Sequence, residues 1–362
     1  MIHFHHQGGI FKVEQRKRNT EALRKYLLKS IYQSDGFAAA QDAAKVFAVS
    51  LAAVYKQLDR LEQDGLITSE KIGRIKRYSL VDLVTVDREY PLQGLNEDTI
   101  LSRDMAAILD SVTIIARSVF SYVFTEMLNN AIDHSGSDRV AIHAHRNAYA
   151  IGCEISDQGI GIFSKIQHAA GLEEKRFAIL ELAKGKFTTD PSSHSGEGVF
   201  FSSKVADRFF IISDELAFVG DNSAGDTNPV MLDKLSETQN QGTLVYFEVV
   251  LDRTITYAEV VDRYSEAPED YRFSKTIVPV RLLEYRDVTP VFVSRSQAKR
   301  LLTRFERFKN IVLDFKDIEE IGQGFADEVF RVFVSQHPDT TISYINVSSM
   351  VDRMIKHAQS AT

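Results

Sequence analysis

Phe124-Thr-Glu-Met-Leu-Asn-Asn-Ala-Ile-Asp-His-Ser135 decides the reading of the middle of the chain. Val119, Val123, Met127, Leu128 and Ile132 recur at helical spacing, the pattern of a helix with one apolar face. Glu126 and Asn130, four apart, then project from a common side and can address one ligand. Two further segments extend this site. Asp157-Gln-Gly-Ile-Gly161 follows an alternating strand, Tyr149 to Ser156, and sets a carboxylate at its end, ahead of two glycines that permit a tight turn. Ser195-Gly-Glu-Gly-Val199 precedes an apolar run, Val199 to Val205, that reads as a helix whose free N–H groups and positive dipole end suit phosphate.

In order and spacing the three segments resemble the GHKL ATPases, the family of gyrase B subunits, ninety-kilodalton heat-shock chaperones, mismatch-repair ATPases and histidine kinases. The resemblance covers roughly residues 98 to 252 and implies a two-layer α/β sandwich of the Bergerat type. It implies ATP and Mg²⁺ as ligands, with Asn130 on the metal and Asp157 on the adenine amino group. Gly159, Gly161, Gly196 and Gly198 would flank a mobile lid over the phosphates, and Thr243, ahead of the alternating run Leu244 to Val250, would support the adenine contact. Glu126, Asn130, Ala131 and His134 reproduce the E-x-x-x-N-A-x-x-H form of the hydrolysing members and of the anti-sigma-factor serine kinases. Glu126 is therefore the catalytic candidate, able to orient or deprotonate a water or a serine hydroxyl. Hydrolysis and serine phosphorylation are equally compatible with it. Thr99 to Ser121 contains no histidine, which argues against an orthodox histidine autokinase. His134 is expected to cap its helix. The stretch Phe163 to His194, with Lys184, Lys186, Thr188, Thr189 and the breaker Pro191, is expected to be the lid, its lysines solvated.

Charge is unevenly spread. The chain carries −7 overall, yet residues 1–80 hold 14 Lys/Arg against 8 Asp/Glu, a net +6 that leaves −13 for the remainder. A basic segment on an acidic chain points to a polyanionic partner. Residues 18–33 are amphipathic, Ala38 to Phe47 and Leu51 to Gln63 are periodic, and Ser50 is placed to cap the third helix. Leu66 to Lys71 and Ile75 to Leu80 then form a hairpin about Ile72-Gly73-Arg74. Residues 16–82 resemble a bacterial winged helix-turn-helix. That resemblance implies DNA as partner, with Tyr55, Lys56 and Arg60 towards the groove and Lys71, Arg74, Lys76 and Arg77 towards phosphate.

Residues 253–276 are acidic and turn-rich and read as a linker. Beyond it, strands expected at 277–285, 288–293, 311–315 and 341–347 alternate with helices at 294–308, 322–334 and 348–358, giving an α/β domain over 277–360 with a sheet at least partly parallel. Ile311-Val-Leu-Asp-Phe-Lys-Asp-Ile-Glu-Glu-Ile-Gly-Gln-Gly-Phe-Ala326 resembles the STAS-like relatives of anti-sigma-factor antagonists. No hydroxyl residue lies between Lys316 and Val334, so phosphorylation at the antagonists' usual place is not expected, and a binding or autoregulatory role is. Asp314 and Asp317 read as solvent-exposed strand-end carboxylates.

The expected whole is a multidomain α+β and α/β protein: winged helix at 16–82, ATPase sandwich at 98–252, STAS-like domain at 277–360. The single cysteine, Cys153, excludes an internal disulfide and reads as a buried small residue. With no apolar run of about 18 residues and no signal-peptide pattern at the start, the expected setting is cytoplasmic, without membrane association. The leading functional reading is an ATP-binding, ATP-hydrolysing regulator that couples nucleotide state to DNA binding and transcription. The alternatives are a serine/threonine protein kinase of anti-sigma type, acting on a partner protein, and a nucleotide-binding scaffold without turnover. A protein partner through the STAS-like domain and a homodimer are both open, although no heptad seam enforces the latter.

Overall fold

The computed structural model describes residues 5–34, 39–73, 75–188, 196–222, 230–233, 241–266, 272–283 and 292–360, with the backbone alone at 5–18, 221 and 230–233. Helices α1 (His5–Gln33), α2 (Ala39–Val46) and α3 (Leu51–Gln63) pack with the antiparallel hairpin β1 (Ile67–Ile72) and β2 (Ile75–Leu80). Leu23, Leu27, Ile31, Ala43, Val54, Leu58, Leu61, Ile67 and Tyr78 close a small core of their own. Ser50 accepts the N–H of Ala53, so a local side-chain bond sets the start of α3. α1 starts well before the amphipathic stretch, because its earlier turns have no apolar stripe to announce them.

A seven-stranded sheet follows, with β3 (Val84–Pro91), β4 (Arg139–Arg146), β5 (Ala150–Asp157), β6 (Arg208–Ser213), β7 (Leu216–Asp221), β8 (Val230–Asp233) and β9 (Leu244–Val250) in the order β3-β4-β5-β9-β6-β7-β8. Every neighbouring pair is antiparallel. β3 pairs with β4 along its full length, so the sheet begins ahead of residue 98. Helices α4 (Glu97–Arg103), α5 (Ala106–Leu109), α6 (Ile114–His134), α7 (Ile162–Ala170), α8 (Phe177–Lys184) and α9 (Gly198–Val205) accompany it. Thr113 caps α6, whose Ala116, Val119, Phe120, Val123, Phe124, Met127 and Leu128 are buried over β5 and β9. Alternation does the same on the strands: Val140, Ile142 and Ala144 of β4 and Phe209 and Ile211 of β6 point to these helices, while His143 and Phe210 do not. Cys153 is fully buried on the same inner face.

The C-terminal part contains α10 (Tyr257–Asp262), a parallel sheet of β10 (Lys275–Pro279), β11 (Asn310–Asp314) and β12 (Thr341–Ile345), and helices α11 (Arg295–Leu302), α12 (Gln323–Asp327), α13 (Val334–Gln336) and α14 (Ser349–Ser360). A π-helical stretch, Glu328–Phe333, joins α12 to α13. The parallel sheet is as the sequence pattern implies. The linker is not: Val260, Val261, Tyr264 and Phe273 are buried in one core that runs from the seven-stranded sheet into the C-terminal part. Phe273 packs on Phe200 and Phe201 of α9 at centroid distances of 4.5 and 5.0 Å. Each such aromatic contact is worth about 0.5–1.5 kcal/mol beyond simple burial, enough to override an acidic, turn-rich local composition. The overlooked local signal is the capping box at Thr256 and Glu259, which starts α10. Asp314 also differs from expectation, being 2% exposed and held by the Lys316 N–H and the Asn346 amide, both at 2.9 Å. Asp317 is exposed and pairs with Arg281. The strand expected at 288–293 falls mostly outside the described residues, with Phe292 alone bridging to Ile321. Among the described residues no helix is long and apolar enough to cross a membrane.

Candidate functional site

β9 is the last strand of its sheet in sequence but lies between β5 and β6, and this topology places Thr243, at its start, beside Asp157, at the end of β5. The Asp157 N–H donates to the Thr243 carbonyl at 2.9 Å. The Asp157 side chain in turn accepts the Gly159 N–H at 2.8 Å and is also held by the Thr243 N–H. Thr243 Oγ1 accepts the N–H of Ile162 at 3.0 Å, which joins the strand to the first turn of α7. Asp157 is 8% exposed, and burial pushes its carboxyl above the usual range against the pull of these two N–H groups.

These residues form one end of a cavity of about 300 Å³, and the other sequence candidates line it too: Glu126, Asn130, Gly161, Gly196 and Gly198. Ile155, Ile162, Ile166, Ile211 and Val245 supply apolar walls next to Asp157. An apolar slot with a buried carboxylate at its foot suits a flat heteroaromatic ring carrying an N–H donor. Gly159 lies just outside, turned against the Ser135 carbonyl, where a Cβ would collide. His134 ends α6 and lines the cavity; its carbonyl receives Lys165 Nζ at 2.9 Å, so a lysine from α7 supports this helix end.

At the opposite end, Glu126 stands against the start of α9. A Cβ on Gly198 would overlap the Glu126 carboxylate, so the side chain would have to shift to admit any other residue there. Tyr122, one turn before Glu126, contacts Tyr257 with ring centroids 4.3 Å apart. Burial first, then the Glu126 charge, raises the Tyr122 phenol far beyond its ordinary range. Glu197, the residue before α9, is likewise raised by burial, with Lys186 opposing. The Asn130 amide nitrogen is buried in the cavity wall without a hydrogen-bond partner. A buried amide left so is costly unless a ligand completes it. No three His, Cys, Asp or Glu side chains converge as metal ligands among the described residues, so a divalent ion here would need oxygens brought by a ligand.

The lid differs from expectation. Phe163 to Lys184 is largely α7 and α8, and every residue of α8 is buried. Lys184, read as a solvated lid lysine, is 1% exposed and pairs with Glu181 at 2.7 Å. The rest of the expected lid, with Thr189, Pro191 and His194, lies outside the described residues, as does Ser195. Phe187, Thr188 and Lys165 line the cavity although no strong sequence pattern marks them as a group. For Lys165 a signal existed: Ile162, Lys165 and Ile166 share one face of α7.

Residues 297–352 match the family described as STAS-like domain of unknown function (DUF4325). This segment, from α11 through β11 and β12 into α14, is STAS-like, as its sequence implied. No curated protein matches the chain.

The basic N-terminal candidates separate into two groups. Tyr55, Lys56 and Arg60 are exposed on α3, and Lys71 is exposed on β1. Lys76 pairs with Glu62 at 3.0 Å and Arg77 with Glu70 at 3.5 Å, so carboxylates of the same unit already face these two cations. Arg74 lies outside the described residues.

Proposed function

We propose that the cavity is an ATP site of GHKL type and that the protein is a nucleotide-gated regulator with a winged-helix DNA contact. The observation that carries this is the convergence, from segments far apart in sequence, of Asp157, the partnerless Asn130 amide and Glu126 at the glycine-bounded start of α9 in one cavity. In this reading Asp157 accepts the adenine amino group and Thr243 fixes its position. Asn130, through its side-chain oxygen and together with nucleotide phosphate oxygens, would hold Mg²⁺, which when bound supplies charge neutralisation during phosphoryl transfer, and its unpartnered amide nitrogen would donate to a phosphate oxygen. The N–H groups at the start of α9 face the phosphates. Glu126 orients and deprotonates the attacking hydroxyl, whether of water or of a serine side chain. Purified protein with γ-labelled ATP and Mg²⁺ separates the routes: free phosphate means hydrolysis, label on an added partner means a kinase, and neither outcome leaves binding alone.

Asn130→Ala is expected to bring ATP affinity with Mg²⁺ down to the metal-free level while changing metal-free affinity less. Calorimetric titration with and without Mg²⁺ measures both, and a wild type indifferent to Mg²⁺ would contradict the role.

Coupling to DNA has a physical route. Tyr32, near the end of α1, donates its hydroxyl to Glu248 of β9 and lies under the Arg208 guanidinium, 4.1 Å from the ring centre. Arg208 also pairs with Glu248 at 3.5 Å. The strand that follows Thr243 of the cavity thus bonds, on its other face, to the first helix of the DNA-contacting unit. On DNA, neutralising Lys71 should flatten the salt dependence by about 0.9 if it contacts one phosphate, in log affinity against log salt. Neutralising Lys76 or Arg77 should change it less, because their carboxylate partners already balance them. Equal slopes for the three single variants on one promoter fragment would overturn this ranking.

A further inference from the structure

The STAS-like segment grips the chain that forms one wall of the cavity. Lys184, the last residue of α8, donates from Nζ to the carbonyls of Thr303 at 2.9 Å and Arg300 at 3.4 Å, while its own carbonyl accepts Thr276 Oγ1 at 2.7 Å. Two residues on, Lys186 and Arg307 exchange bonds: Lys186 Nζ to the Arg307 carbonyl at 3.0 Å, and Arg307 Nη1 to the Lys186 carbonyl at 3.1 Å. Between these clasps lies Arg304. Its guanidinium carbon is 4.4 Å from the Phe187 ring centre, and its Nη1 is 3.8 Å from Glu181 Oε2.

Phe187 is a cavity wall, and its backbone touches Gly196 so closely that a Cβ there would collide with it. Gly198, two residues later, abuts the end of the Glu126 side chain. A continuous run of packed groups therefore leads from Arg304 through Phe187 and Gly196 to the start of α9 and the Glu126 carboxylate. Arg304 itself holds φ +67°, a conformation that disfavours a long side chain, yet an arginine occupies it.

We propose that Arg304 is a positioning residue for the nucleotide cavity, through which the STAS-like segment controls how the γ-phosphate end of ATP is held. This rests on the ATP reading above. The stacked guanidinium fixes Phe187, Phe187 fixes Gly196, and Gly196 sets the approach of α9. The adenine end, built on Asp157 and Thr243, lies outside this run. Loss of Arg304 therefore loosens one end of the site and leaves the other in place, and a ligand or protein that displaced the STAS-like segment would have the same effect.

Full-length wild type, Arg304→Gly and Arg304→Lys test this. Glycine removes the guanidinium at a φ that suits it, so no backbone strain is introduced. For Arg304→Gly the expected results are an affinity for a non-hydrolysable ATP analogue with Mg²⁺ lowered about tenfold, ADP affinity within about twofold of wild type, and faster amide exchange at 185–188 without nucleotide. Lysine keeps the charge without the planar stack and should fall between. Analogue affinity within twofold of wild type, or equal losses for analogue and ADP, would overturn the positioning role. A wild type that binds no nucleotide would instead refute the ATP reading, in an arm where no variant is involved.

Discussion

Glu126→Gln will bind ATP as tightly as wild type and turn it over about 10²- to 10⁴-fold more slowly, the span associated with loss of general acid–base assistance. The glutamine keeps the size of the side chain and its place beside Gly198. Only the basic oxygen is removed. Single-turnover phosphate release checks the rate, and calorimetry checks the affinity. The variant also probes coupling, because it remains in its ATP state. It should show, with ATP, the DNA affinity that wild type shows with a non-hydrolysable analogue. Wild-type turnover would remove Glu126 from the mechanism. Abolished turnover with DNA binding that ignores nucleotide would keep the enzyme and refute the coupling.

Asp157→Asn is expected to lower ATP affinity by about 10²- to 10⁴-fold, because the amide offers a donor or a weaker acceptor where an N–H must be received in a buried site. The fold should not suffer. Burial raises the Asp157 carboxyl, so relative to the unfolded chain this group favours the native state below its unfolded pKa and opposes it as pH rises through the folded value. Removing the charge relieves that cost at neutral pH, and the thermal midpoint of the variant should be no lower than that of wild type. In the wild type, ATP affinity should fall on acidification sooner than an ordinary aspartate would allow, since the protonated acid is no longer a pure acceptor. Affinity of the variant within tenfold of wild type would place the adenine elsewhere.

The residues that the fold brings to one cavity were legible as a group because each has a strong local pattern. Glu126 and Asn130 sit on a periodic helix, Asp157 at the end of an alternating strand, and Gly196 and Gly198 before an apolar run. α3 and its Ser50 cap were legible for the same reason. What the sequence did not disclose depends on packing between distant segments. Lys184 looks like a solvated lid residue, but the carbonyls of Arg300 and Thr303 that satisfy its amine lie more than a hundred residues away. Residues 253–266 have the composition of a linker, yet Tyr264 sits edge-on to Phe200 at 5.0 Å and the segment becomes part of the core. Asp314 looks exposed until β12 brings Asn346 beside it. The charge of the hairpin was readable as a sum, but the pairing of Lys76 with Glu62 needed α3 folded against β2.

The most direct measurement is a crystal structure of the full chain with Mg²⁺ and a non-hydrolysable ATP analogue. The adenine amino group is expected within hydrogen-bond distance of the Asp157 carboxylate, the metal on the Asn130 side chain, and the γ-phosphate between the start of α9 and Glu126. Nucleotide bound outside this cavity, or in it with the base turned away from Asp157, would contradict the ATP site proposed for these residues.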